Sequence, residues 1–295
     1  MPAFRRSQPV AYPGAMASGE TRNGVRFDSA RLDPVERRFW RECYEAVPAE
    51  IAAGHGIERR DFGPVQATIV AGLADVPMLN LVLGATEPGA VEGGHLAAAT
   101  TWAGERGVDP YVPVAPDTPG TVAAERWLEG NGFATGYAWM KFVRNAHPPL
   151  FREPRGVEVV ELDAGSEEPF GTIAAVGFGL PAWGAAFFAA LPGREGWRCY
   201  VARVDGEAQA CAAMLIEGEV AEFGVAATLE PARGRGCQLA LLHRRIRDAG
   251  EAGCRTLFVE TGERVPGRPA GSYRNLLRAG FEEAYLRPNW QRPSG

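Results

Sequence analysis

Lysine is almost absent from this sequence: Lys141 stands alone against thirty arginines. A phosphate-binding P-loop requires a Gly-Lys-Ser/Thr sequence, and a Schiff-base enzyme requires a buried lysine. Lys141 lies in the alternating, strand-like run "YAWMKFVRN", and no glycine loop precedes it. The sequence therefore excludes both enzyme classes.

Metal-binding and membrane-spanning patterns are also missing. The five cysteines form no Cys-x-x-Cys pair, and the four histidines show no ligand spacing. We therefore predict reduced thiols, a cytoplasmic location and no metal site. No window reaches the roughly 18 apolar residues that a membrane span requires, which predicts no membrane association. The net charge of −5 argues against nucleic acid as a partner.

The length of 295 residues and the hydrophobic content of 46% are typical of two domains with complete cores. The pattern of strands and helices restarts after the proline-rich segment "AHPPLFREPRG". We therefore predict a flexible leader at 1–25, a first domain at 26–148, a linker at 149–156 and a second domain at 157–295. Each domain is expected to be a mixed α/β unit, a mostly antiparallel sheet flanked by helices.

Both halves begin and end in recognisable ways. The first opens with a helix predicted from Pro34 to Ala53 and capped by Asp33. Each half closes with a short helix, a Gly-Phe pair and an alternating strand: "AAERWLEGNGFATGYAWMKF" and "SYRNLLRAGFEEAYLRPNW". This weak internal repeat indicates two copies of one fold.

An Arg/Gly loop at Arg233–Gly236 precedes an amphipathic helix that follows a three-strand meander. The first amides of a helix lack internal partners and carry about half a positive charge. Glycines leave those amides uncovered, and arginines add donors for phosphate oxygens. The loop therefore predicts an anion site. It is not a dinucleotide fingerprint, because "GRGCQL" lacks the third glycine and follows an antiparallel meander.

The segment from about Val157 to Trp290 resembles the GNAT superfamily of N-acetyltransferases. Its acetyl-CoA signature, Gln/Arg-x-x-Gly-x-Gly/Ala, follows the fourth strand and matches Arg233 to Gln238 here, with Gln238 where Gly or Ala is usual. The resemblance implies a tandem protein whose first half is a degenerate copy without this loop. It also implies a pantetheine site on a bulged strand end at Ala226, Ala227 and Thr228. The implied acetyl-CoA contacts are Ala226, Ala227, Thr228, Arg233, Gly234, Arg235, Gly236, Cys237, Gln238 and Asn275.

The reaction implied by the resemblance is direct attack of an amine on the thioester. Glu222 is the first candidate for the base, expected on one strand face with Gly224, Ala226 and Thr228, and Glu260 is the second. The family's thiolate-protonating tyrosine position holds Leu276, so Tyr273, almost one turn earlier, is the candidate acid. Cys237 is not expected to be catalytic.

Several alternatives stay open at this stage. Ser272 either contacts the pantetheine arm or caps its helix. The acceptor is a small-molecule or peptide amine of unknown identity. The main alternative function is a non-catalytic acyl-CoA-binding or sensor protein, motivated by Leu276. An aspartate at Gly236 is expected to abolish CoA binding and leave the fold intact.

Overall fold

A computed structural model describes residues 18–22, 24–267 and 270–293. Its strands are β1 (Ser18–Glu20), β2 (Arg26–Asp28), β3 (Ile57–Phe62), β4 (Val65–Val70), β5 (Leu81–Leu83), β6 (Val112–Pro113), β7 (Ala134–Asn145), β8 (Glu158–Leu162), β9 (Trp197–Val204), β10 (Glu207–Glu217), β11 (Val220–Thr228), β12 (Thr256–Gly262) and β13 (Glu282–Gln291). Its α-helices are α1 (Ser29–Glu45), α2 (Ala49–His55), α3 (His95–Gly104), α4 (Thr121–Gly130), α5 (Phe170–Phe178), α6 (Ala186–Ala189), α7 (Cys237–Glu251) and α8 (Gly271–Arg278).

The main sheet has eight strands in the order β6-β13-β7-β12-β11-β10-β9-β8. Its neighbours pair antiparallel except for β11 and β12, which are parallel. A three-stranded sheet, β3-β4-β5, lies in the first half, and a bridge from Leu81 to Tyr111 connects it toward β6. The expected mixed α/β class is confirmed.

The main sheet contains strands from both halves, whereas the sequence predicted that each half would form its own sheet. The strand β7 comes from the first half but lies between β12 and β13 of the second. Each of β7 and β13 follows a Gly-Phe pair, and their register is symmetric: Ala134 pairs with Gln291, and Glu282 with Val143. Each closing strand therefore lies next to strands of the other half: β7 next to β12 and β13, and β13 between β6 and β7.

Two hydrophobic cores cover opposite faces of the main sheet. On one face, which we call the α1 face, α1, α5 and α6 pack over residues such as Val201, Cys211 and Phe258. On the other, the α7 face, α7 and α8 pack over residues such as Tyr200 and Phe223. A third core lies in the first half, around α3 and α4. Successive side chains of a strand point to opposite faces of the sheet, so neighbouring residues pack against different helices.

The first helix begins earlier than predicted. Its cap is Asp28, whose carboxylate accepts a hydrogen bond from the amide of Ala30 at 3.0 Å, and Pro34 lies inside the helix. Asp33 is not a cap but a mostly buried side chain beside the sheet, and burial raises its pKa to about 6. The sequence rule placed proline at the first helical position, whereas packing of the apolar stripe extends the helix by one more turn.

Other local predictions hold. The meander β9-β10-β11 is present, and its first turn has positive φ at both Asp205 and Gly206, as an Asp-Gly hairpin requires. The segment 146–157, which includes the predicted linker, contains no helix or strand. Most of the predicted leader, residues 1–17 together with residue 23, lies outside the described residues, and β1, near its end, pairs with β2 of the predicted first domain. No helix among the described residues has the length and apolarity that crossing a bilayer demands.

Candidate active site

A cleft opens where the two parallel strands of the main sheet part. The strands β11 and β12 pair only from Val220–Phe223 and Thr256–Val259, although both continue beyond these residues. A cavity of about 650 Å³ lies beyond this point, between the end of β11, the start of α7, the end of β12 and α8. Beyond this point the ends of β11 and β12 no longer hydrogen-bond to each other. A ligand can therefore contact backbone groups there.

A bulge shapes the β11 side of the cleft. Val225 has a φ of +47°, and the register with β10 skips a residue between the pairs Ala213–Gly224 and Cys211–Ala227. An extra residue reverses the alternation of faces beyond it. The predicted common face is therefore wrong: Glu222 and Gly224 face α1, whereas Ala226 packs against the core under α7.

The predicted pantetheine residues line the cavity. Ala226, Ala227 and Thr228 all border it, and each is half-buried. The helix α5 approaches them closely, because a Cβ added to Gly177 would lie 2.4 Å from the Cβ of Ala227. The small residues on α5 and at the end of β11 thus allow the two elements to pack closely and leave the cavity beside them open.

The Arg/Gly loop places the first turn of α7 at the cavity. Gly234 and Gly236 have φ of +79° and +90°, and Gly236 occupies the N-cap without a side-chain cap. The amides of Arg233 and Arg235 donate to carbonyls of the preceding turn, at 3.1 and 3.2 Å. Within the described residues, no group accepts a hydrogen bond from the amides of Gly234, Gly236, Cys237 or Gln238. These amides form the positive end of a helix of fifteen residues.

The two arginines of the loop have different surroundings. Arg233 lines the cavity and forms no ion pair with any residue that the structure describes. Arg235, a predicted contact, does not line the cavity; it pairs with Asp205 of the β9–β10 turn at 2.9 Å, with both side chains well exposed. An exposed pair of this kind contributes little, about 0–1 kcal/mol, so a phosphate can compete for Arg235.

Other predicted contacts form the walls. Asn275 of α8 donates a hydrogen bond of 2.6 Å to the side-chain oxygen of Gln238 of α7, so these two polar side chains bridge the cleft. Cys237 is buried, and burial raises the pKa of its thiol, which is the opposite of what a reactive thiolate needs. Ser272 lines the cavity and is not the helix cap, a position that Ala270 takes.

Tyr273 lines the cavity, whereas Leu276 packs into the core beneath α8. The Tyr273 ring is mostly buried and meets Phe142 edge to face, with centroids 4.7 Å apart. Its hydroxyl donates a hydrogen bond to the carboxylate of Glu283. A tyrosine thus lines the cleft although the expected position holds leucine.

Glu222 and Glu260 do not line the cavity, but lie on the α1 face where the strands part. Burial raises the pKa of Glu222 well above its usual range, and Glu36 and Glu260 raise it further. The Glu222 Oε2 atom is buried and has no hydrogen-bond partner among the described residues. Glu260 instead accepts hydrogen bonds from Arg287 at 2.7 and 3.0 Å.

Some lining residues escaped sequence reasoning. Glu263 and Val265 follow β12 directly, and their place after the fifth strand of the second half could have indicated them. Tyr137 also lines the cavity, and its hydroxyl donates to the carbonyl of Glu263 at 3.3 Å. Tyr137 belongs to β7, so no local signal places it here. No cluster of three or more metal-ligating side chains occurs in the described part of the chain.

Comparisons with known proteins agree with this geometry. Residues 171–263 match a family model described as an acetyltransferase (GNAT) domain, which extends from α5 to just beyond β12. No curated protein matches the sequence significantly.

Solved structures match over most of the chain. A GCN5-related N-acetyltransferase from Kribbella flavida is 18% identical, with 90% of this chain and 96% of that chain covered and a TM-score of 0.60. A GCN5-related N-acetyltransferase from Sphaerobacter thermophilus is 16% identical, with 79% and 78% covered and a TM-score of 0.57. A tandem GNAT protein from the clavulanic acid biosynthesis pathway is 17% identical, with 78% and 79% covered and a TM-score of 0.52. The fold is therefore that of GNAT proteins.

Proposed function

We propose that this chain is an N-acetyltransferase that binds acetyl-CoA in the cleft between β11 and β12 and transfers the acetyl group to an amine. The observation that carries the proposal is the start of α7, where four residues whose amides have no acceptor in the described part of the chain line the cleft beside Arg233. Such an end of a helix favours a phosphate group, and Arg233 supplies a charged donor. The GNAT domain match over 171–263 supports acyl transfer as the reaction class.

In the proposed complex the CoA diphosphate lies on the amides from Gly234 to Gln238. The pantetheine arm follows the end of β11, along Ala226 to Thr228, toward the point where the strands part. Asn275 and Gln238 move apart or turn toward the arm, because their side chains hydrogen-bond each other across the cleft. At the bulge around Val225, backbone groups of β11 that point toward β12 do not pair with that strand. The thioester carbonyl can accept a hydrogen bond there.

The amine must lose a proton before it attacks. An alkylammonium with a pKa near 10.4 is only about 0.04% neutral at pH 7, which costs about 4.6 kcal/mol. We assign the proton to Glu222, directly or through water, because it lies beside the separation of the strands and burial raises the pKa of its carboxyl, which makes its carboxylate a stronger base than that of an exposed glutamate. Since a protonated Glu222 cannot accept, transfer should increase with pH up to the pKa of this group.

The thiolate of CoA leaves when the tetrahedral intermediate collapses. We assign Tyr273 as its proton donor, since this residue lines the cavity and its hydroxyl, which donates to the Glu283 carboxylate, can turn toward the sulfur. A thiol with a pKa near 8.5 also leaves without help. Tyr273→Phe should therefore lower kcat and leave the affinity for CoA unchanged.

The first half of the chain resembles a second copy that lacks the CoA site. The symmetric register of β7 and β13 supports a tandem origin. At the start of α3, the amides of Gly93, Gly94 and Leu96 donate to carbonyls of their own loop at 2.9 Å. Those amides are not available to an anion, so we expect one CoA for each chain. A cytoplasmic location remains a prediction, and the five cysteines, all buried and unpaired, are compatible with it.

The test is calorimetric titration with CoA and acetyl-CoA, followed by detection of free thiol with a panel of primary amines. We expect one binding site and thiol release that depends on the amine. Binding without thiol release above hydrolysis, for every amine, would favour an acyl-CoA sensor instead. Absence of both binding and thermal stabilisation would reject the CoA site.

A further inference from the structure

A cluster of ionisable side chains lies buried on the α1 face, next to the cleft but outside it. Three of its members, Glu36, Lys141 and Arg287, have side chains that are at most 3% exposed. The cluster joins α1, β7, β11, β12 and β13. Its members are Asp33, Glu36, Lys141, Glu222, Glu260, Tyr285 and Arg287.

Four of these groups pair with each other. The ammonium of Lys141 lies 2.9 Å from a carboxylate oxygen of Glu36 and 2.9 Å from one of Glu260. Arg287 donates two hydrogen bonds to Glu36, at 2.6 and 2.7 Å, and also binds Glu260. The pairing compensates much of the cost of burying these charges.

Lys141 lies in β7, as the strand-like run predicted, but the sequence did not indicate its burial. It is completely buried, but Glu260 and Glu36 outweigh its burial and raise the pKa of its ammonium. A nucleophilic lysine needs a lowered pKa, so Schiff-base chemistry stays excluded for a different reason. The lysine instead supplies a fixed positive charge.

Glu222, like Asp33 and Tyr285, lies outside this pairing. Its Oε2 atom is buried without a hydrogen-bond partner among the residues described. The ionisable groups that face it are Glu36 and Cys43 of α1, Lys141 of β7, Glu260 of β12 and Arg287 of β13. Its partner on β10 is Leu215, and α5 carries no ionisable residue.

We propose that Glu36 and Lys141, both contributed by the first half of the chain, set the charge on Glu222 and thereby the pH at which acetyl transfer occurs. They are positioning residues, because neither lines the cavity. The inference rests on the proposed function, in which Glu222 accepts the proton of the amine. It gives the first half a role in the reaction although that half holds no CoA loop.

The two residues act on Glu222 in opposite directions. Glu36 is a like charge, which favours the protonated carboxyl, and Lys141 is an opposite charge, which favours the carboxylate. Glu36→Gln should therefore move the rise of kcat/KM to lower pH, and Lys141→Met should move it to higher pH. A nearby buried charge typically changes a pKa by about one unit or more, so we expect shifts of that size.

Two control variants separate charge from packing. Lys141→Arg keeps the positive charge and should leave the pH profile close to that of the wild type. Glu42→Gln neutralises a carboxylate on the same helix that binds Arg38 and Trp197 instead of the cluster, and it should not shift the profile. Circular dichroism and CoA titration establish whether each variant is folded. If Lys141→Met does not fold, the direction of the pH-profile shift in Glu36→Gln tests the inference.

A second measurement does not depend on turnover. Carbon-13 NMR of labelled glutamate carboxyls, assigned with Glu222→Gln, gives the titration of Glu222 in each variant. Opposite displacements of this titration would support the inference even in a chain that transfers no acetyl group. Equal titrations in all variants, or displacements in the same direction, would overturn it. Failure of the proposed function would instead appear as absence of CoA binding or of thiol release.

Discussion

Gly234 offers the sharpest test of the anion site. A Cβ added there meets no atom within 4 Å, and its φ of +79° is a conformation that asparagine and aspartate tolerate better than other residues. Gly234→Asp and Gly234→Asn therefore impose the same shape and similar backbone strain. They differ by one negative charge beside the amides of Gly236 and Cys237. The comparison isolates electrostatics from packing.

The magnitude follows from Coulomb's law. A carboxylate about 5 Å from one phosphate charge costs about 0.8 kcal/mol in water and about 3.3 kcal/mol at an effective dielectric constant of 20. Gly234→Asp should thus bind CoA about 4- to 250-fold more weakly than Gly234→Asn, and Arg233 only partly offsets this. Raising the salt concentration should narrow the difference because the loop is exposed.

Isothermal titration of both variants with CoA, at low and high salt, measures this difference. Equal affinities for the two variants, with both folded, would show that the diphosphate does not lie on this loop. Gly236 is less suitable for this test than the sequence suggested, because a Cβ added there would lie 2.9 Å from the Cβ of Pro154. Gly236→Asp would disturb the linker as well as the charge.

Three further outcomes follow from the packing. Burial raises the pKa of Glu222, so the folded chain binds a proton that the unfolded chain releases above about pH 4.3, and stability falls as the pH rises from there. Glu222→Gln should therefore unfold at higher urea than the wild type at pH 8 and at similar urea near pH 4; the reverse order would contradict the burial of this carboxyl. A fragment of residues 157–293 lacks β7, the partner of both β12 and β13. It should therefore show no cooperative urea transition by circular dichroism. Full CoA affinity in this fragment would refute the need for β7. Gly224→Ala places a Cβ 2.4 Å from the Phe39 ring and should cost about 1–3 kcal/mol of unfolding free energy, which Phe39→Leu should partly restore; strictly additive losses would argue against the contact.

Local sequence patterns were sufficient for the elements of the second half. The Asp-Gly turn, the meander and the uncapped helix at Cys237 all depend on residues close in sequence. The backbone of the loop was predictable for the same reason, since φ values and uncovered amides at a helix start follow from the glycines themselves.

The position of Glu222 shows where that reasoning ends. Regular alternation predicted a common face with Ala226, but one extra residue at Val225 reverses the pattern. A bulge depends on the register with β10 and on the approach of α5, and neither is written in the strand itself. The same limit applied to Asp33, which a capping rule assigned to a helix end.

The sequence by itself determined the class of the fold, the Arg/Gly loop and the repeated Gly-Phe endings, because each arises from a few neighbouring residues. Only the tertiary structure decided that β7 enters the sheet of the second half, that Tyr137 reaches the cleft, and that Lys141 lies between two carboxylates. These features join residues more than a hundred positions apart. Their formation depends on which buried surfaces fit together, a property of the whole chain that no local window contains.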